Sequence, residues 1–390
     1  MRRLRIGIAC FPTIGGSGVA ASQLALALDA RGHRVHVFSS DTPVRLADGH
    51  GGCVLHRVEQ GLRPPLENGI YALALAGAMA EVSQSEELDL LHVHYALPHA
   101  ASAHLARELV RSRGARAPRL VTTLHGTDVT GLASHRALLA VTRHAVLASD
   151  AVTTPSQWLR RAAASALELP AGTRIEVIPN FVDPDQFHPG DGRSDVRRLF
   201  PRAGWDGPGA PAVLLHASNF RPVKRVADTV RALAEVLQSR DAVLVLVGDG
   251  PERRAVETLV DALGLTEKVA LLGARRHLGP LFAQADLFLL PSEQESFGLA
   301  ALEALASGVP VVATDVGGVS EVVRSGETGR LVPARDPRAL AAAALDLLSD
   351  EPRRARMAQA ARADATARFR PDVVVSRVEA LYGELLALPA

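Results

Sequence analysis

Two glutamates, Glu295 and Glu303, lie eight residues apart in a segment that begins as a loop and continues as a predicted helix. The segment follows an apolar run typical of a buried strand, at the position where parallel sheets present their ligands. The first amides of such a helix, here those of Gly298 and Leu299, have no partner within the helix and favour an anion. If Phe297 and Leu299 pack inward, both carboxylates lie on roughly the same side. The pattern predicts a site for a phosphate beside a group rich in hydroxyls; the alternative is a capped surface helix with solvated glutamates.

A basic loop in the same half of the chain could bind the same anion. Arg221 and Lys224 follow the predicted strand 212–217. Because arginine binds phosphate through a fork of N–H groups and lysine acts as a point charge, the two could share one diphosphate. Arg225 would be the neighbour that faces outward. A basic loop alone is usually solvated surface, but combined with the helix amides at Gly298 it favours a diphosphate site.

A glycine-rich loop, Gly15 to Gly18, follows the first predicted strand and precedes a helix expected from Val19. Glycines let the backbone approach a ligand closely, and the helix N-terminus favours an anion. The spacing differs from the dinucleotide-binding fingerprint, and no acidic residue is well placed to hold a ribose after the second strand. The loop is therefore either an anion-binding site or a tight structural turn.

Histidines follow two predicted strands of the first half of the chain. We predict structural roles for His92, His94 and His99, because a histidine among fourteen is more often structural than catalytic. His125 differs, because a glycine follows it and polar groups surround it. It could bind a sugar hydroxyl, or its backbone carbonyl could stabilise positive charge at a reacting carbon. The alternative is that Asp128 simply caps a helix in this loop.

Composition argues against several classes of function. The formal net charge is +1, so the overall charge does not favour nucleic acid or an anionic membrane. The most apolar helical stretch, residues 70–80, is too short to span a bilayer. Cys10 and Cys53 are too few for a disulfide framework. We therefore expect a cytoplasmic protein that binds neither nucleic acid nor membrane.

Metal-dependent and serine hydrolases are also disfavoured. The sequence has no His/Cys/Asp cluster with metal-ligand spacing and no Gly-x-Ser-x-Gly elbow. Asp183-Pro184-Asp185 has the D-x-D form of some metal sites, but it lies in a Pro-rich stretch and we interpret it as linker. We expect neither a metal nor a cofactor.

Strand and helix patterns alternate along the chain, which is typical of doubly wound parallel sheets. The predicted strands are residues 4–11, 35–39, 88–94, 120–124 and 151–154, then 212–217, 242–247, 269–272, 285–290 and 309–313. A break near Phe369-Arg370-Pro371 would let a last helix, 373–386, cross back. We predict an α/β protein of two Rossmann-like doubly wound parallel-sheet domains that face each other across a cleft. The predicted domains are 1–185 together with helix 371–390, and 186–370.

Several long motifs resemble the retaining glycosyltransferases of two-Rossmann-domain (GT-B) architecture and family 4 type. The motifs cover the whole chain and are IGGSGV, LHVHYALPHA, VTTLHGTDVT, HASNFRPVKRV, LVGDGPE and ESFGLAALEALASGVPVV. The resemblance is strongest to the members that begin bacillithiol biosynthesis. It implies transfer of N-acetylglucosamine from UDP-N-acetylglucosamine to the hydroxyl of L-malate, with retention and without a metal ion. It also implies that the first domain binds the acceptor and the second the nucleotide-sugar donor.

The resemblance further implies roles for individual residues. Donor binding falls to Gly15, Gly16, Arg221, Lys224, Arg275, Glu295, Phe297, Gly298, Leu299 and Glu303. Acceptor binding falls to Ser17, Tyr95, Thr127, Asn219 and Arg221. The residues expected to be catalytic are His125, Arg221, Lys224 and Glu295. Within these sets Glu303 would hold the ribose, Glu295 the sugar hydroxyls and Arg275 the uracil edge.

Other functions stay open at this stage. A related transferase could use an inositol phosphate or a lipid-linked sugar as acceptor. A UDP-sugar 2-epimerase could share the two-domain fold, and a non-catalytic nucleotide-sugar binding protein is a third option. The chain could also form a homodimer.

Overall fold

The computed structural model describes residues 2–13, 15–47, 49, 51–58, 70–131, 135–190, 194–206 and 209–387. The chain divides into two compact units. The N-terminal unit comprises Met1–Asn180 and Pro371–Ala390, and the C-terminal unit comprises Phe181–Arg370. The division therefore falls slightly earlier than the boundary we predicted after residue 185. Within the described residues, no helix combines the length and apolar character needed to cross a membrane.

The N-terminal unit is built on a seven-stranded parallel sheet. Its strands are β1 (Arg5–Ala9), β2 (Arg34–Ser39), β3 (Val54–Arg57), β4 (Leu90–His94), β5 (Arg119–Thr123), β6 (Ala151–Thr154) and β7 (Ile175–Val177). Its first helices are α1 (Gly16–Ala30), α2 (Tyr71–Ser85), α3 (Ala101–Ser112), α4 (Thr127–Thr130), α5 (Arg136–Leu147) and α6 (Gln157–Ala166). The strand order is β3-β2-β1-β4-β5-β6-β7, so it reverses between β1 and β4. Sheets of this kind bind ligands at the carboxyl ends of the strands beside such a reversal.

The C-terminal unit repeats the plan with six parallel strands. The strands are β8 (Ala212–Ala217), β9 (Ala242–Val247), β10 (Val269–Leu271), β11 (Leu287–Leu290), β12 (Val311–Thr314) and β13 (Gly329–Val332). The helices are α7 (Ser194–Leu199), α8 (Val226–Val236), α9 (Arg253–Ala262), α10 (Gly279–Phe282), α11 (Leu299–Ala306), α12 (Val319–Val322), α13 (Pro337–Ser349) and α14 (Glu351–Phe369). The order β10-β9-β8-β11-β12-β13 reverses between β8 and β11.

Central strands are buried on both faces, which explains their nearly continuous apolar sequences. Every residue of β8 and of β9 is buried. Val213 and Leu215 point into one apolar cluster, and Leu214 points into the cluster on the opposite face. The predicted parallel-sheet fold class is confirmed for both units. The sequence analysis missed β3, β7 and β13, which are short strands at sheet edges and therefore lack a long apolar run.

The last helix, α15 (Pro371–Ala387), packs in the N-terminal unit, as the predicted break before it suggested. Tyr382 is fully buried, and its hydroxyl lies 2.6 Å from Nδ1 of His92 on β4. Glu379 binds Nη1 of Arg31 at 2.5 Å and Nε2 of His33 at 3.0 Å. The helix is thus attached to the sheet by a buried hydrogen bond and to the end of α1 by charge.

We expect Tyr382→Phe to destabilise the protein although the ring still fills its place. The change leaves Nδ1 of His92 buried without its partner, which costs about 1–3 kcal/mol of unfolding free energy. Urea unfolding followed by circular dichroism measures this loss. Val373→Ala on the exposed side of the same helix is the control and should have little effect. Equal unfolding midpoints for Tyr382→Phe and the unmutated protein would contradict the prediction.

Candidate functional site

The glycine loop of the N-terminal unit is the first turn of a helix. Helix α1 begins at Gly16 with Gly15 as its N-cap residue, so the start expected at Val19 is wrong. A side chain at Gly18 would lie 2.4 Å from the carbonyl oxygen of Thr13, so close packing requires this glycine. A Cβ atom at Gly16 would meet no atom within 4 Å. The amides of Gly16 and Ser17 therefore belong to a helix N-terminus of the kind that binds anions.

Tyr95 and His125 meet where β4 and β5 end. Their rings stack with centroids 5.6 Å apart, and the ring of Phe11, which follows β1, packs edge-on against Tyr95 at 5.3 Å. Tyr95 has φ of 89°, a conformation that costs a bulky residue about 1–3 kcal/mol and is typical of functional sites. The structure thus brings predicted acceptor and catalytic residues together at the carboxyl ends of adjacent strands.

A chain of neutral histidines lies behind His125. Nε2 of His125 lies 2.8 Å from Nδ1 of His94, whose ring stacks on that of His92. His92 in turn bonds Thr123 through Nε2 at 2.7 Å. Burial lowers the pKa of His92 and of His125 to about 3, and it lowers the pKa of His94 well below 6.5. These rings therefore supply hydrogen bonds without charge at neutral pH.

Asp128 resolves the alternative that the sequence left open in this loop. Its buried carboxylate accepts backbone N–H bonds from Gly126 at 2.8 Å, His125 at 3.1 Å and Ala96 at 3.3 Å. Burial raises the pKa of Asp128 to about 6, although these three bonds act in the opposite direction. Asp128 ties the turn after β5 to the turn after β4 and holds the backbone of His125, whereas the N-cap residue of α4 is Gly126 and makes no side-chain cap bond. Thr127, its neighbour, is exposed.

In the C-terminal unit, the basic loop and the glutamate segment are bonded to each other. Nζ of Lys224 lies 2.5 Å from Oε1 of Glu295, and both side chains are largely buried. Ser292 donates its hydroxyl to the same oxygen at 2.9 Å. The sequence analysis identified Lys224 and Glu295 as site residues, but it treated them as separate ligand contacts. The structure makes them one buried ion pair.

Backbone and charge hold the two loops in this position. The amide of Glu293 donates to the carbonyl of Val223 at 2.8 Å. Arg225 binds Asp228 at 2.5 Å and Glu293 at 2.7 Å. The expectation that Arg225 faces outward is wrong, because its side chain is largely buried between two carboxylates. Arg225 thus fixes the loop that carries Lys224.

The end of β12 and the loop after it hold the backbone around Glu295, and the sequence analysis missed their residues. Thr314 donates its hydroxyl to the carbonyl of Ser292 at 2.5 Å, and the amide of Gly318 donates to the carbonyl of Glu295 at 2.9 Å. Gly317 has φ of 61°, and a Cβ there would lie 1.8 Å from the carbonyl oxygen of Glu295. One signal could have been recognised, namely Ser292, a small polar residue two positions after the apolar strand β11.

The helix after Glu295 begins as predicted. Gly298 is the N-cap of α11 with φ of 95°, and Leu299 is its first residue. Phe297 is buried and packs edge-on against Phe369 at 5.7 Å, so its side chain belongs to the core; its contact with the donor stays a prediction. Glu303 lies one turn into α11 and is 5 % exposed.

The other predicted residues are placed as follows. Asn219 and Arg221 are exposed in the loop after β8, and Arg275 is exposed after β10. Ser17, Tyr95, Thr127 and His125 belong to the N-terminal unit, whereas Asn219 and Arg221 belong to the C-terminal unit. Across the described ranges, no three His, Cys, Asp or Glu side chains are grouped to hold a metal ion.

Comparison with known proteins agrees with this geometry. Residues 14–186 match the family model for glycosyltransferase family 4, and residues 202–364 match the model for glycosyl transferases group 1. The chain is 40% identical over 384 residues, 98% of each chain, to a Bacillus anthracis protein named N-acetyl-alpha-D-glucosaminyl L-malate synthase. This chain is a glycosyltransferase. It belongs to the same glycosyltransferase family as this relative and has the GT-B fold.

More distant relatives share the glycosyltransferase fold. The chain is 32% identical over 370 residues, 88% of this chain and 79% of the relative, to a D-inositol 3-phosphate glycosyltransferase of Nocardia farcinica. Among solved structures, Anabaena HepE in complex with UDP and glucose matches with a TM-score of 0.80 at 22% identity, covering 98% of this chain and 100% of that one. Sucrose-phosphate synthase from Thermosynechococcus elongatus matches with a TM-score of 0.78 at 23% identity, covering 99% and 100%. These structural matches support the GT-B fold.

We expect the buried histidines to make the glycosyltransferase sensitive to acid. Burial lowers the pKa of the following histidines to about 3 or 4: His36, His92, His99, His125 and His216. As the pH falls below 6.5, the unfolded chain binds protons at these residues while the folded chain does not. Each such residue then lowers the free energy of unfolding by about 1.4 kcal/mol per pH unit.

We therefore expect the urea midpoint to be highest above pH 7 and to fall steeply between pH 6.5 and 4. Asp128 opposes the trend, because its raised pKa favours the folded state as it takes up a proton in this range. The stabilisation from the single carboxyl group of Asp128 cannot offset the loss of unfolding free energy caused by several histidines. Unfolding curves at pH 7.5, 6.0 and 5.0 measure the effect, and a constant midpoint would contradict it.

Proposed function

We propose that this glycosyltransferase moves N-acetylglucosamine from UDP-N-acetylglucosamine to the hydroxyl of L-malate, the first step of bacillithiol biosynthesis. The observation that carries the proposal is the similarity to the Bacillus anthracis synthase, which extends over 98% of both chains at 40% identity. We also propose that the anomeric configuration is retained and that no metal ion is required. A cytoplasmic location and a homodimer stay predictions.

The paired charges of the C-terminal unit suit a nucleotide-sugar donor. An ammonium group has three N–H donors, so Lys224 can bind a phosphate oxygen while it stays bonded to Glu295. The exposed Arg221 can bind the same diphosphate with its fork of N–H groups. The amides of Gly298 and Leu299 at the start of α11 add donors that need no charge. In this proposal Glu295 holds the sugar hydroxyls and Glu303 the ribose.

The N-terminal unit offers groups that suit a small hydroxy acid. The first amides and dipole of α1, with the hydroxyl of Ser17, favour a carboxylate. Thr127 is exposed at the start of α4, and Tyr95 lies against His125. We assign these three hydroxyls, together with Asn219 and Arg221, to the carboxylates of malate.

Retention without a protein nucleophile is explained by displacement on one face of the sugar. The bond from the anomeric carbon to the departing phosphate oxygen breaks while the bond to the malate oxygen forms. The same phosphate oxygen takes the malate hydroxyl proton. His125 is too weak a base for this proton, since burial lowers its pKa to about 3, and it is better suited to bind a sugar hydroxyl. The protein then acts by positioning and by charge stabilisation.

An inositol phosphate acceptor is the second candidate, because a relative with that activity in its name is 32% identical over most of the chain. The deciding experiment incubates the purified protein and UDP-N-acetylglucosamine with L-malate, with inositol phosphate or with neither. UDP release and product mass are followed. We expect a product only with malate. Release without an acceptor would indicate an epimerase or a hydrolase, and a product only with inositol phosphate would replace the proposal.

We expect Arg221→Ala and Lys224→Ala each to lower turnover at least about tenfold, since each removes a cation from the departing diphosphate. Lys224→Ala also leaves Glu295 buried without its counter-ion, so its loss should be the larger. Steady-state UDP release measures the effect, and circular dichroism checks that the variants fold. Arg254→Ala, at an exposed position of α9, is the control. Near-normal turnover of the two variants would overturn the diphosphate assignment.

A further inference from the structure

Ser292 lies next to the ion pair of the C-terminal unit and is hydrogen-bonded to Glu295 and to Thr314. It is fully buried and lies two residues after the end of β11. Its hydroxyl donates to Oε1 of Glu295 at 2.9 Å, because a carboxylate can only accept. Its carbonyl accepts the hydroxyl of Thr314 at 2.5 Å, which fixes the serine backbone to the end of β12. Ser292 is thus a rigid donor aimed at one oxygen atom.

The two oxygens of Glu295 have different environments. Oε1 accepts from both Ser292 and Nζ of Lys224, the latter at 2.5 Å. In the described part of the chain, Oε2 receives no hydrogen bond, and it is not sealed from solvent. Two donors on one oxygen, arriving from two different loops, fix the plane of the carboxylate. Lysine alone could not do so, because its long side chain can follow either oxygen.

We propose that Ser292 is a positioning residue that orients Glu295 so that Oε2 faces the hydroxyls of the donor sugar. The proposal rests on the proposed function in one respect, namely that Glu295 contacts the sugar of a nucleotide-sugar donor. Ser292 itself touches no substrate. Its effect is therefore confined to ligands that carry the sugar, and it disappears when the carboxylate is removed.

Binding measurements test this inference without requiring transfer to malate. Isothermal titration calorimetry compares UDP-N-acetylglucosamine with UDP for the unmutated protein, Ser292→Ala, Glu295→Ala and the double variant. We expect Ser292→Ala to weaken binding of the nucleotide sugar about tenfold, the scale of a lost hydrogen bond to a charged group. Binding of UDP should change less than about twofold, because the sugar contact is absent. In the Glu295→Ala background, Ser292→Ala should have no further effect.

Two controls separate positioning from folding. Ser102→Ala removes a buried hydroxyl that donates to the carbonyl of Ala72 in the N-terminal unit, and it should leave binding of both ligands unchanged. Ser292→Cys keeps a weak donor of similar size and should recover part of the lost affinity, and it serves as the test variant should Ser292→Ala not fold. Urea midpoints are measured for every variant.

Each outcome either supports or overturns the inference. An equal loss for UDP and UDP-N-acetylglucosamine, or the same loss in the Glu295→Ala background, would show that Ser292 only stabilises the loop. Binding of the nucleotide sugar without any transfer to malate would defeat the proposed acceptor and leave the Ser292 result intact. An unmutated protein that binds no UDP-N-acetylglucosamine would overturn both proposals.

Discussion

In a parallel sheet every strand ends at the same edge, and this constraint determines which residues of the chain can meet. Because the strand order reverses between β1 and β4 and again between β8 and β11, the loops at those reversals are not separated by a crossing helix. The turns after β1, β4 and β5 bring Phe11, Tyr95 and His125 into contact. The turns after β8 and β11 bring Lys224, Ser292 and Glu295 into contact.

The sheet pattern was predictable from the sequence because buried parallel strands need continuous apolar runs, whereas the edge strands β3, β7 and β13 do not. Glu295 and Lys224 were recognisable from residue type and local spacing. Their mutual bond was not, because it joins residues 71 positions apart and depends on the pairing of β8 with β11. Local patterns also could not decide whether Phe297 contacts a ligand or the core, since an apolar residue before a helix suits both.

Support for a site residue is harder to predict than the residue itself. Asp128 accepts backbone N–H bonds, Ser292 donates to a carboxylate, and Thr314 donates to a backbone carbonyl on another element. Small polar residues after a strand are common, and most cap a helix or close a turn. Only the distances show that these three hold His125 and Glu295. Such supporting contacts matter because a loosely held group loses the orientation on which catalysis depends.

The polar groups around Glu295 and around His125 differ in charge. The C-terminal unit keeps charges and pairs them, Lys224 with Glu295 and Arg225 with Glu293 and Asp228. The N-terminal unit keeps His94 and His125 neutral, because burial lowers the pKa of each ring and the two share a hydrogen bond. Paired charges can be redistributed when a charged diphosphate arrives, whereas neutral rings can hydrogen-bond a hydroxyl group without adding charge of their own. This difference in charge is a reason for our proposal that the C-terminal unit binds the nucleotide-sugar donor.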